Sequence, residues 1–142
     1  MDYQLGSKLA YVSAGAHGIG RAIADLLAAE GASVIVADCD AAALAERGQS
    51  WRGTVVADLS TPEGVTQAVS YTLETFGRAP DILINNLGVG DATPFEQLTD
   101  AQWLRSININ MMGCIRTCRA LVPLMAERGD AAVVNTGSDL AK

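Results

Sequence analysis

"SAGAHGIGRAIADLLAAEGASVIVAD", Ser13 to Asp38, decides the fold. Glycines crowd a turn, an apolar helical stretch from Gly18 follows, and Gly31 stops it. A β-branched run, Ser33–Asp38, then ends on an acid. The run before the turn, "KLAYVS" (Lys8–Ser13), reads as a short buried strand. Strand, glycine turn, helix and strand in that order predict a parallel pair with its crossover helix.

The pattern continues outward. "AAALAERG" predicts a short helix over 41–48, and "GTVVAD" (Gly53–Asp58) a third strand. "STPEGVTQAVSYTLETFG" begins with Ser60 and Glu63 in capping-box spacing, has Pro62 early in the helix, and ends at Gly77. "DILINN" (Asp81–Asn86) is a fourth strand. Thr99 and Gln102 repeat the capping-box spacing and open a long helix to about Glu127, and "AAVVNTGS" (Ala131–Ser138) is a fifth strand. Continuous rather than alternating apolar strands imply cover on both faces. The expected fold is therefore α/β, a Rossmann-type doubly wound parallel sheet of about five strands in one domain, 1–142.

In such sheets ligands bind beyond the carboxyl ends of the strands. Gly18 and Gly20 would let a phosphate approach the backbone at a helix N-terminus, where free N–H groups and the helix dipole favour an anion. Asp38 lies about twenty residues further on, where a carboxylate accepts hydrogen bonds from the adenosine ribose. It would repel a 2′-phosphate, and no Arg or Lys follows it, so NAD is expected rather than NADP. Asp58-Leu59 and Asn85-Asn86-Leu87-Gly88 end the third and fourth strands. Four such clusters at successive strand ends point to a dinucleotide much more firmly than one glycine motif does.

These motifs together resemble the short-chain dehydrogenase/reductase family across the whole chain. Its Thr-Gly-x-x-x-Gly-Ile-Gly turn is matched by Ser13 to Gly20, its Asn-Asn-Ala-Gly by Asn85 to Gly88, and its adenosine-side acids by Asp38 and Asp58. The resemblance implies cofactor contacts at Ala14, His17, Gly18, Ile19, Gly20, Asp38, Asp58, Leu59, Asn86, Leu87 and Gly88. It implies a place by the cofactor ribose for Asn86, a water of a proton relay on Asn110, and a substrate oxygen on Ser138. The implied reaction is metal-independent hydride transfer between the nicotinamide and an alcohol or ketone. The implied partner is a second copy of the chain, met through the helix over 99–127.

Departures from the family pattern matter as well. Ala14 replaces a glycine in the tightest part of the turn, with Gly15 expected to absorb the strain. Leu87 replaces a small residue beside the cofactor. His17 is expected to serve the turn rather than a phosphate. The family's acid/base is a Tyr four residues before a Lys, and the Lys lowers the Tyr pKa for proton exchange. Here the tyrosines are Tyr3, Tyr11 and Tyr71 and the lysines Lys8 and Lys142, so the 142 residues contain no Tyr-x-x-x-Lys. The chain is accordingly expected to be the N-terminal, cofactor-binding portion of a longer oxidoreductase, truncated after the fifth strand. The competing expectation is a nucleotide-binding sensor or oligomerisation module without turnover.

Composition sets the remaining bounds. Hydrophobic residues make up 49% of the chain and charged residues 18%, which favours a folded core over disorder. A net charge of −6 argues against a nucleic-acid surface. Cys39, Cys114 and Cys118 form no disulfide framework; with no leader-like or membrane-length apolar run, a reducing cytoplasm is expected. Cys114 and Cys118 share a helix face and are expected to be buried thiols rather than metal ligands. Asn108 is expected to make a structural hydrogen bond, Asn110 to mark a functional kink, and Trp103 to pack.

Overall fold

The computed structural model describes residues 3–46 and 50–138. Five parallel strands, β1 (Leu9–Ser13), β2 (Ser33–Asp38), β3 (Gly53–Val56), β4 (Ile82–Asn85) and β5 (Ala132–Asn135), form one sheet in the order β3-β2-β1-β4-β5. The strand order reverses between β1 and β4, so the ends of these two strands flank the crevice where such folds hold ligands. All four pairings are parallel, with Val12 opposite both Val36 and Ile84. The predicted architecture is the observed one.

Alternate residues of the central strands feed two separate cores, which explains their continuous apolar runs. Tyr11, Ile35 and Leu83 pack on one face with α3 (Pro62–Phe76) and α5 (Gly113–Ala126). Ala10, Val12, Val34, Val36 and Ile84 pack on the other with α1 (Gly18–Ala29) and α2 (Ala41–Ala45). The remaining helix, α4 (Asp100–Ile107), is joined to α5 by the π-helical residues Asn108–Met112. At the opposite end of the sheet from the crevice, Asp81 is 5% exposed. It accepts from the Leu9 N–H at 2.8 Å and from both Arg78 guanidinium nitrogens at 2.8 Å, tying β4 to β1. Burial alone would raise the Asp81 pKa, but the Arg78 bonds, the Leu9 N–H and the charges of Arg78 and Arg128 outweigh it and hold it below its usual value.

Several local expectations are corrected. Helix α3 is capped by Thr61, whose hydroxyl accepts from the Gly64 N–H at 3.0 Å, and not by a Ser60–Glu63 box. Ser60 is captured instead by Asp58, one residue too early to cap the helix. The Thr99–Gln102 box is present as expected. Strands β3, β4 and β5 are shorter than their apolar runs, so Asp58 lies past the end of β3. Cover on both faces fails for β5, all four of whose residues are exposed. Cys114 and Cys118 are half-buried rather than buried. Residues 47–48, the end of the predicted second helix, lie outside the described residues, as does Lys142.

Candidate active site

The crevice begins at Ala14, which takes φ +50°, the left-handed region that suits glycine. Gly15 was expected to absorb this strain and does not; the strain sits on Ala14 itself. Gly15 is required for packing, because a Cβ there would stand 2.6 Å from Val36 Cγ1. Gly18 is at φ +51° with open space around it. Gly20 is the tightest point: an added Cβ would lie 2.3 Å from the Ala14 carbonyl oxygen and 2.5 Å from Asn86 Nδ2. His17 occupies the N-cap of α1 without capping it, so its side chain leaves the first-turn N–H groups to other acceptors.

Asp38 ends β2 nearly buried, with 8% exposure. Its Oδ2 accepts from the Ala16 N–H at 3.0 Å and its Oδ1 from the Asp40 N–H at 3.0 Å. The carboxylate therefore locks the glycine turn to the β2 end while keeping spare lone pairs for a ribose hydroxyl. Asp58 is exposed on the neighbouring strand end, where the Ser60 hydroxyl at 2.7 Å and then the Ser60 N–H hold its pKa below the usual carboxylate value. Leu59, expected at the cofactor, turns its side chain into the core and is 3% exposed.

The β4 end is built from amide and hydroxyl clips. The Ser13 hydroxyl accepts from the Asn86 N–H at 2.9 Å, and Asn86 Nδ2 donates to the Ala14 carbonyl at 3.1 Å. Asn86 thus holds the strained alanine in place. Leu87 fills a notch over Gly113, where a Cβ would meet its Cδ2 at 2.7 Å; its extra bulk over alanine goes toward α5. The Asn110 amide grips Val89 from both sides, accepting from its N–H at 2.7 Å and donating to its carbonyl at 3.0 Å. Nδ2 also donates to the Ser106 hydroxyl at 3.1 Å, so a water can be held on this side chain only by the second lone pair of Oδ1. Asn110 lies within the π-helical segment, an irregularity in the predicted long helix at the position where a kink is expected. Asn108 makes the expected structural bonds, donating to the Ser60 carbonyl at 2.7 Å and accepting from Arg116 at 2.7 Å.

These clips surround one cleft of about 610 Å³, lined by Ile19, Asn86–Gly90, Asn110 and Thr136–Ser138. Its size suits a small-molecule ligand. Two residues singled out for chemistry, Asn110 and Ser138, face the same space as the helix start at Ile19 and the Asn86–Gly88 turn. Asp38 and Asp58 lie away from it, at the ends of the strands on the other side of β1. Sequence reading missed Asp40, whose carboxylate lies 2.8 Å from His17 Nε2; the two are 23 positions apart, and no local pattern links them. Among the described residues no group of three or more His, Cys, Asp or Glu could hold a metal ion, and no helix is long and apolar enough to cross a membrane. Trp103 packs edge-on against Phe95 with ring centroids 5.9 Å apart, although 42% of it stays exposed.

A glycine turn opening a helix, acids at or just beyond the ends of the next two strands and a cleft at the switch point together mark a doubly wound α/β sheet. Residues 8–142 match the short chain dehydrogenase family, and the chain belongs to it. D-threitol dehydrogenase of Mycolicibacterium smegmatis is 35% identical over 146 residues, which cover 99% of this chain and 56% of that protein. Among solved structures, L-sorbose reductase from Gluconobacter frateurii, complexed with NADPH and L-sorbose, superposes with a TM-score of 0.93 at 33% identity. That match covers 99% of this chain and 56% of the reductase. The 3-ketoacyl-(acyl-carrier-protein) reductase from Brucella melitensis, complexed with NADH, gives 0.87 at 30% identity, covering 94% of this chain and 58% of that one. The chain thus spans about half the length of the relatives it matches.

Proposed function

We propose that this chain is the cofactor-binding part of an NAD-dependent oxidoreductase that moves a hydride between the nicotinamide and the carbon of an alcohol or ketone, without a metal. The observation that carries the reading is the convergence of Ile19, Asn86–Gly88, Asn110 and Ser138 on one cleft at the switch point of the sheet. When bound, the nicotinamide would supply the hydride acceptor for an alcohol, or in its reduced form the hydride donor for a ketone; every other task falls to the protein. The first turn of α1 and Gly18 receive the pyrophosphate, and Asp38 receives the adenosine ribose. Asp58 would face the adenosine. Asn86 keeps the β1 and β4 ends together and would lie next to the nicotinamide ribose. Ser138 orients the substrate oxygen by a hydrogen bond, and Asn110 fixes the Val89 loop and holds one water of a proton relay. The general acid/base must come from a tyrosine beside a lysine, which these 142 residues do not carry. The exposed stripe of Leu104, Ile107, Met111, Ile115 and Val122, running along α4, the π-helical segment and α5, is where a second copy packs.

The absent Tyr-x-x-x-Lys favours a second reading, nucleotide binding without turnover, for the 142 residues acting alone. Calorimetric titration with NAD+ tests the binding that both readings share. Asp38→Ala is expected to weaken NAD+ binding about tenfold and to relax discrimination against NADP+. Unchanged affinity for both removes the ribose assignment. Hydride transfer to a panel of secondary alcohols and ketones, followed at the nicotinamide absorbance, separates the two readings.

A further inference from the structure

Two carboxylates flank Cys39 at the end of β2, and they are held in different ways. Asp38 is tied down by the backbone, whereas Asp40 is pulled toward the glycine turn. Asp40 Oδ2 lies 2.8 Å from His17 Nε2, and its Oδ1 accepts from the Ala43 N–H at 3.0 Å, so neither side of the carboxylate is free to swing away. The His17–Asp40 pair bridges the ends of β1 and β2, the two walls that hold the ribose in the reading above. The field there is negative: burial and then the charges of Asp38 and Asp58 push the Cys39 thiol pKa up. The other basic group on this turn, Arg21, leans toward Asp25 on its own helix at 3.8 Å.

We propose that Asp40, by occupying His17, is a specificity-determining residue that excludes a phosphorylated 2′ position. The inference rests on the dinucleotide reading of the β1–β2 crevice. A 2′-phosphate arriving at Asp38 meets a second carboxylate two residues on. The imidazole that would otherwise offset this is already engaged. A 2′-hydroxyl carries no charge and meets no such barrier. His17 is therefore neither a spare turn residue nor a phosphate ligand; it anchors a negative wall.

The test is titration of the full protein carrying these residues with NAD+ and with NADP+, at low and at high salt. Asp40→Asn keeps an oxygen for the Ala43 N–H and a competent helix cap but removes the charge. NADP+ should bind about tenfold tighter in this variant, with NAD+ unchanged within about twofold. High salt should shrink the gain, as expected for a screened charge effect. His17→Gln added to Asp40→Asn should give back part of the gain, because the released imidazole then no longer faces the phosphate. A change equal for both cofactors, or no change for either, overturns the proposal, since a merely structural cap would affect both alike. A wild type that prefers NADP+ also overturns it. If Asp38→Ala leaves NAD+ affinity untouched, the ribose reading fails first and takes this inference with it.

Discussion

The two ends of the crevice are built by opposite strategies. At the β1–β2 end the backbone is packed until nothing can move: Gly20 has no room for a methyl, Gly15 sits against Val36, and Asp38 accepts from two N–H groups. At the β4–β5 end β5 has no buried residue, and the loop after β4 is held mainly by side chains, Asn110 on Val89 and Gln102 on Asp91 and Thr93. The first arrangement suits a part of a ligand that never changes. The second suits a part where reactants must enter, turn and leave. Rigidity is thus concentrated at one end and adaptability at the other.

Gly20→Ala should break the comparison most severely. The new methyl meets a carbonyl oxygen at 2.3 Å, neither it nor Asn86 can retreat cheaply, and a loss of about 3 kcal/mol is expected by chemical denaturation, with cofactor binding abolished. If the variant is as stable as the parent, the rigid end is softer than its contacts imply.

Acid should act next, from the far end of the sheet. Asp81 has a folded-state pKa below its unfolded value, so its contribution is present above about pH 4 and is lost as pH falls through the lower, folded value. Asp81→Asn should cost about 2 kcal/mol at neutral pH, because it leaves Arg78 poorly paired, and should flatten the acid limb of a thermal-stability profile. An unchanged acid limb would show that Arg78 holds β4 no better than a neutral amide would.

Ala14→Gly should stabilise the protein slightly. Relief of a left-handed alanine, about 1–2 kcal/mol, exceeds the extra unfolded-chain entropy of glycine, about 0.4–1 kcal/mol. A rise in melting temperature checks it. Asn110→Ala should have the smallest effect on stability, within about 0.5 kcal/mol at an exposed site, yet it should speed hydrogen exchange at the Val89 amide and slow turnover in the full protein. A large stability loss would mean that the open end is as structural as the other.

The parts legible in the sequence were those that local chemistry dictates. Glycines, β-branched runs and the Thr99–Gln102 box led to the parallel sheet, the turn and the helix starts, and the mid-helix Asn110 pointed to an irregularity where the π segment lies. What stayed hidden depends on competition or distance. Ser60 and Thr61 are equally good caps on paper, and only the neighbouring Asp58 decides between them. The strain at Ala14 is foreseeable from the missing glycine, but that it stays on Ala14 itself, with Asn86 from a strand away pinning its carbonyl, is not. Leu59 shares a strand end with a candidate ligand residue but turns the other way, into the core. The His17–Asp40 pair exists only because β1 and β2 are neighbours.

The π-helical turn at Asn108–Met112 acts as a phase shift along what would otherwise be one long rod. Each residue of an ordinary helix advances about 100° around the axis, so one additional residue in a turn re-indexes everything that follows. Asn108 can then reach Ser60 while Asn110, two places on, reaches Val89 on a different segment. Deleting a single residue here would leave composition and apolar content almost untouched. It would nonetheless rotate α4 against α5 and separate the two asparagines from their partners, a frameshift written in geometry rather than in codons.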